Sequence, residues 1–250
     1  MMTTSAARPL PYATARAEPH MTLLADPTVW VAGMGRVGSR MVEGLVRSGT
    51  RSVVANDPQR VESSDAISQL HLRQQDCGRS KVEAMHRYLE RLNRGVQFRG
   101  IVAPTESDVT DEMAQEADIC VIASNTLDSR RAGVSRGIRY QKPVIAVGVA
   151  DARTASAASV AIWRPGAHEL ACPACLLHAQ PEPPRNERLL PSVIDLATAH
   201  ACHLVICALT TPAELPPENV WLLDGTRHSV TAIELARHPD CEVCRLQGGA

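Results

Sequence analysis

Between Thr28 and Val149, hydrophobic positions fall into short β-rich runs that alternate with longer stretches of helical spacing. Such alternation predicts an α/β fold, a doubly wound and mostly parallel sheet of Rossmann-like type. VWVAG reads as the first strand; after it Val42, Leu45 and Val46 recur at helical spacing within Ser39 to Ser48, and Gly49 stops that helix. RSVVAND reads as the second strand, with Asp57 at its C-terminal end. Lys81 to Leu92 is predicted helical, with Val82, Met85, Leu89 and Leu92 on one face and Asn93-Arg94-Gly95 ending it. Val96 to Val102 predicts a third strand, Met113 to Ala117 a short helix, and DICVIASN a fourth strand. A helix bearing Arg130 then leads to a fifth strand, KPVIAVGV. The polar residues of interest fall at or just after carboxyl ends of strands, the edge where open α/β sheets bind ligands.

Past Asp151 the pattern changes. SAASVAIWRPG reads as a strand, CPAC follows, and QPEPPRNERLLP is a proline-rich loop of about a dozen residues, a length that points to function when it occurs inside a domain. Ser192 to Leu209 reads as a nearly continuous apolar helix, and NVWLLDG with SVTAIELARHP as a closing hairpin before CEVC. The expected organisation is a flexible tail over 1–27 and a single nucleotide-binding domain over 28–250. Within it, 28–150 forms the Rossmann-like part, and 151–250 the crossover loop, helix, hairpin and cysteine site.

Composition narrows the function classes. A chain of 250 residues with 44% hydrophobic content can bury a full core. Its formal charge of -1 and 3% aromatic content give nucleic acid neither an electrostatic pull nor stacking platforms. The best candidate for a membrane span, Ser192 to Thr211, is broken by Asp195, His200 and His203, and the opening residues lack the apolar core of a secretory signal. A cytoplasmic protein without membrane or nucleic-acid partners is expected. Eight cysteines in a reducing compartment hold metal more often than they form disulfides.

Three motifs carry chemistry. GMGRVG places Gly33 at a turn, Gly35 where backbone can approach a phosphate, and Gly38 where helix packs on strand; Asp57 stands where a carboxylate accepts hydrogen bonds from a ribose. These residues fit NAD and ATP equally. Cys172-Pro-Ala-Cys175 and Cys241-Glu-Val-Cys244 have the spacing that wraps a tetrahedral zinc ion with four thiolates, a closed site whose metal is structural. In RQQDCGRSK, Lys81 opens a helix whose N-terminus can share a polyphosphate with the lysine ammonium.

In this order GMGRVG, Asp57, RQQDCGRSK, SNTLDSRR, CPAC and HPDCEVC resemble the ThiF, MoeB and HesA family, relatives of the ubiquitin-activating enzymes. The resemblance covers Thr28 to the C-terminus. It implies a ThiF-type fold that binds ATP and adenylates the C-terminal carboxylate of a ubiquitin-like carrier protein, sulfur carrier or peptide, as a homodimer. It also implies Mg2+ on the leaving pyrophosphate, Asp57 on the ribose, Lys81 on the phosphates, and Arg130 as the motif arginine of the following helix.

Departures from the family pattern are as specific as the matches. The family's Asn-Leu-Asn-Arg-Gln aligns without gaps on Asp65 to Gln69, so its phosphate-contacting arginine falls on Ser68. Its magnesium-binding aspartate falls on Asn125, and its N-terminal Arg-Tyr-x-Arg-Gln segment is missing, with Arg16 the nearest substitute. Gln180 to Pro191 holds no cysteine for a covalent step; Cys202 and Cys207 are expected in the core. Arg73, Arg79 and Arg131 could restore charge by turning inward, although a lone arginine is more often a solvated surface residue. The expected activity is therefore adenylation without a covalent cysteine step. Two other readings stand beside it: a catalytically degenerate nucleotide- or peptide-binding module, and an NAD-linked oxidoreductase.

Overall fold

Eight strands form one sheet in the order β3-β2-β1-β4-β5-β6-β7-β8. A computed structural model describes residues 26–152, 155–177 and 190–245. Most of the expected tail and of the proline-rich loop, with Arg16 and the C-terminal Gly248-Gly249-Ala250, lies outside the described residues. The strands are β1 (Thr28–Ala32), β2 (Ser52–Asn56), β3 (Gln97–Ile101), β4 (Ile119–Ile122), β5 (Val144–Ala152), β6 (Ala155–Trp163), β7 (Val220–Asp224) and β8 (Ser229–Ile233). The helices are α1 (Arg36–Arg47), α2 (Ser63–Ser68), α3 (Lys81–Leu92), α4 (Val109–Glu116), α5 (Leu127–Arg139), α6 (Pro191–Thr210) and α7 (Glu242–Arg245).

The five N-terminal strands pair in parallel, which requires a crossover between each, and α1, α3, α4 and α5 lie in those crossovers. From β5 onward the pairing turns antiparallel, so the expected closing hairpin, β7 and β8, extends the same sheet through β6. Period-two alternation assigns side chains to faces. Val29 and Val31 point into a core with α1, α3 and α6, whereas Trp30 and Ala32 point into a second core with α4, α5 and the cysteine turns. The sheet is covered on both sides from β2 to β6, whereas the edge strand β8 is largely exposed.

Helix α6 is long and apolar enough to span a bilayer by length and composition. Its buried residues include Val193, Ile194, Ala197, Ala201, Leu204, Val205 and Leu209, which join the first core against α1, β5 and β6. Close packing with α1 needs Gly44, where a Cβ would stand 2.8 Å from the Cys202 sulfur. Cys202 is thus a core residue as expected, but Cys207 is only half-buried, with His203 Nε2 3.5 Å from its sulfur. Five residues, about 1.4 helical turns, separate them, so the later position has rotated off the core face.

Candidate functional site

Register brings the cradle together. Ala32 pairs with Asn56 on one side and with Ile122 on the other, so the loops after β1, β2 and β4 leave the sheet at one level. They do so at the switch between β1 and β4, where crossovers change face. Beneath them Asn56 is fully buried: Trp30 Nε1 donates to its Oδ1, and its Nδ2 donates to Ala103 O and Thr105 Oγ1. This network fixes the strand end that carries Asp57.

Gly33 has φ of 95° and lies so close to the β4 loop that a Cβ would stand 3.0 Å from Ser124 backbone. At Gly38 a Cβ would stand 1.8 Å from Gly33 O, so only glycine allows α1 to start here. Gly35, the N-cap of α1, faces open space, with nothing within 4 Å of where its Cβ would be. No side chain caps this helix start and its first turn holds no acidic residue, so backbone N–H groups face the opening as an anion would need.

Asp57 is buried beside them. Met34 N–H donates to its Oδ2 at 2.7 Å and Gln59 N–H to its Oδ1 at 2.7 Å. Burial pushes the Asp57 carboxyl above its usual range, while those two N–H donors and the Lys81 charge pull it back. Each oxygen keeps a lone pair for a ligand hydroxyl.

Lys81 is the first residue of α3, with Ser80 as N-cap accepting from Glu83 N. Its side chain turns inward, 6% exposed as a residue, and its Nζ lies 2.8 Å from Gln59 Oε1 and 3.3 Å from Asp65 Oδ1. Arg130 sits on α5 and donates from Nε to Ser124 O at 2.8 Å. It lines a cavity of about 20 Å3, room for roughly one water, with Gly148, Ser159 and the cysteine turn residues Pro173, Leu176 and Leu177. The Ser124 hydroxyl is buried and, among the described residues, has no hydrogen-bond partner. Asn125 next to it is exposed.

The four cysteines converge within the second core. Their sulfurs all lie within 4.8 Å of one another, with Cys172–Cys175 at 3.9 Å, Cys172–Cys241 at 3.8 Å and Cys175–Cys244 at 3.4 Å. Four sulfurs about 2.3 Å from a tetrahedral zinc ion stand about 3.8 Å apart, so the set fits that ion. All four are buried, and His238 N–H points at Cys175 Sγ from 3.4 Å, a donor that favours thiolate. Packed together, the thiols cannot all ionise without a cation: Cys172 is held far above its usual value while Cys175 is driven well below it. Asn219, fully buried, stitches the two arms below the sulfurs. Its Nδ2 donates to Ala171 O and Leu235 O, and its Oδ1 accepts from Leu235 N.

A model of the ThiF family matches residues 12–243. The chain belongs to the ThiF family. Over 112 residues, 45% of this chain, it is 30% identical to the ubiquitin-like modifier-activating enzyme 7 of Homo sapiens. Over 108 residues, 43% of the chain, it is 29% identical to ubiquitin-activating enzyme E1 1 of Triticum aestivum. The match spans only 11% and 10% of those relatives' lengths. Among solved structures, Escherichia coli MccB with ATP superposes with a TM-score of 0.69 at 20% identity, covering 88% of this chain and 67% of that one. PaaA superposes with a TM-score of 0.68 at 17% identity, covering 86% and 66%. At such identities the structural likeness shows the fold.

At the positions where the sequence departs from the family pattern, the side chains have partners of their own. Ser68 turns its hydroxyl back to Ser64 O within α2. Arg79 lies against Asp76 and Glu83, Arg131 against Asp128, and Arg73 is exposed, so none of the three turns into the cradle. Four functional neighbours were not singled out in the sequence: Gln59 and Asp65 around Lys81, Arg40 beneath α2, and Asn219 beneath the cysteines. Gln59 alone had a local signal, two residues beyond Asp57 on the same loop.

Proposed function

We propose that this chain uses ATP to adenylate the C-terminal carboxylate of a peptide or ubiquitin-like carrier protein, without a covalent cysteine step. A carboxylate oxygen attacks the α-phosphorus, the bond to the bridging oxygen breaks, and pyrophosphate leaves with that electron pair; the product is an acyl adenylate. The observation that carries this reading is one edge of the sheet holding the open α1 N-terminus, buried Asp57 and inward Lys81 together. Asp57 would accept from the ribose hydroxyls, the α1 N-terminus and Lys81 would meet the phosphates, and Arg130 would hold the Ser124 loop in place. Family membership supports the reading, as do relatives named as ubiquitin-activating enzymes and MccB structures solved with ATP and with MccA.

For magnesium, the loop after β4 offers Asn125, whose amide oxygen is a weaker ligand for a hard cation than a carboxylate. The ion would be held chiefly by the phosphates. Zinc fits the four cysteines; it would close the chain's end over α5 and offers no open position for chemistry. Ile67 and Leu70, 85% and 74% exposed, offer apolar surface to the homodimer expected from the sequence.

A second reading, a nucleotide-binding module without turnover, is favoured by Lys81 being engaged by Asp65 and by Ser68 turning away. Carboxylate-dependent exchange of pyrophosphate into ATP separates the two. Exchange that Lys81→Ala abolishes supports the adenylating enzyme; tight ATP binding without exchange, across candidate peptides and carriers, selects the module.

A further inference from the structure

We infer that Asp65 is a specificity-determining residue that sets how much phosphate charge the cradle accepts, and makes triphosphate binding depend on a divalent cation. This rests on the reading of the cradle as a nucleotide site. The inward ammonium of Lys81 is paired with Asp65, whose Oδ1 lies 3.3 Å from its Nζ, and its charge is also felt at Asp57, whose carboxyl it lowers. With both ionised, this group carries one negative charge more than positive before any phosphate arrives.

Asp65 cannot easily swing away. It is the third residue of α2, its Oδ2 accepts Glu62 N–H at 3.0 Å in a capping box, and Gln69 Nε2 donates to its Oδ1 at 2.7 Å. Arg40, which also touches this helix, lies 3.5 Å from Ser68 O and is paired with Asp195 on α6. Each further phosphate therefore adds charge against a fixed carboxylate, while the attraction from Lys81 is already shared. A monophosphate needs only the α1 N-terminus and a share of Lys81. A triphosphate needs its own cation, and Asn125 supplies no charge to replace one.

The substitution Asp65→Asn tests this with little structural cost. The amide oxygen it introduces would keep the Glu62 N–H. The Gln69 Oε1, buried and without a partner among the described residues, would accept from the introduced amide NH2 once the Gln69 side chain turns over. Calorimetric titration of the full chain with AMP and ATP, each in EDTA and in excess Mg2+, gives the readout, and a thermal melt checks the fold. Asp65→Asn is expected to tighten metal-free ATP at least tenfold, to change AMP by less than threefold, and to shrink the gain that Mg2+ gives ATP. Glu62→Gln removes the charge of the exposed N-cap residue of the same helix and is expected to leave the ATP-to-AMP ratio within threefold. Equal shifts for AMP and ATP in Asp65→Asn, or a Glu62→Gln effect as large, would overturn the role of Asp65 while leaving the nucleotide reading intact. Binding of neither nucleotide to either protein would overturn the nucleotide reading itself, and this inference with it.

Discussion

Arg40 on α1 is joined to Asp195 on α6 through Nε and Oδ1, and the two ends of this pair are unequally buried: 8% of the arginine side chain is exposed against 54% of the aspartate. The same guanidinium donates to Arg36 O at 3.1 Å. One ion pair thus ties the helix that starts at the cradle to the helix that follows residues 178–189. Asp195→Ala strands a buried cation and is expected to cost about 1–3 kcal/mol in urea unfolding. Arg40→Leu with Asp195→Ala should cost less than the sum of the single changes, with a coupling of about 1 kcal/mol or more. Additivity of the two would show that the pair contributes nothing.

His71 gives the protein an acid-sensitive core. It is 5% exposed, packs edge-on against Tyr88 with ring centroids 5.7 Å apart, and among the described residues its Nε2 has no partner. Burial pushes its pKa down to about 4 from the usual 6.5. A histidine whose folded value lies below its unfolded value leaves the unfolded chain binding more protons between those two values. Stability is therefore intact above pH 6.5 and falls as pH drops toward 4. The expected loss is about 3 kcal/mol over that window. His71→Leu should flatten this part of the stability profile; a profile as steep as the parent's would assign the acid sensitivity to other groups.

What was legible in the sequence follows from what side chains must bury. Val29 and Val31 alternate with Trp30, and α1 and α3 show helical spacing, because each must fill one core or the other. Helix α2 escaped notice for the opposite reason. SSDAIS buries nothing and is held by a capping box, Lys81 and Arg40, none of which leaves a periodic trace. The glycines, Asp57 and the cysteine pairs were visible because their chemistry demands those residue types at fixed spacing. Pairings across long separations, such as Arg40 with Asp195 or Asn219 with Ala171, are set by the packed layers and leave no local signature.

Two glycines of the cradle should behave in opposite ways. Gly38→Ala drives a methyl group into Gly33 O, a backbone atom that cannot move without parting α1 from β1. Overpacking of this kind is expected to cost about 3 kcal/mol, read as a fall in the unfolding midpoint. Gly35→Ala meets nothing in the free protein, so its stability should fall by no more than about 1 kcal/mol, the difference between glycine and alanine at an N-cap. Its methyl would stand where a phosphate approaches the α1 N-terminus, and nucleotide affinity should fall by about tenfold or more. Should Gly35→Ala bind nucleotide as the parent does, the phosphates do not sit at this helix.

The cysteine cluster should carry one zinc ion per chain, removable by a strong chelator. Its arms are Cys172 and Cys175 on the turn after β6 and Cys241 and Cys244 at α7, and Asn219 bonds the backbone leading into each. Chelation, or Cys244→Ser, should lower the melting temperature markedly, because the binding free energy of the metal, available only to the folded chain, is lost. The consequence should reach the cradle. Pro173, Leu176 and Leu177 of the cysteine turn line the same small cavity as Arg130, whose Nε holds the Ser124 carbonyl next to Gly33. Metal-depleted protein, assayed below its melting point, should therefore bind nucleotide more weakly, with affinity restored by added zinc. Elemental analysis showing no metal, together with melting indifferent to chelator, would sink the clip. Metal loss that lowers melting without touching nucleotide affinity would confine its role to the chain's end.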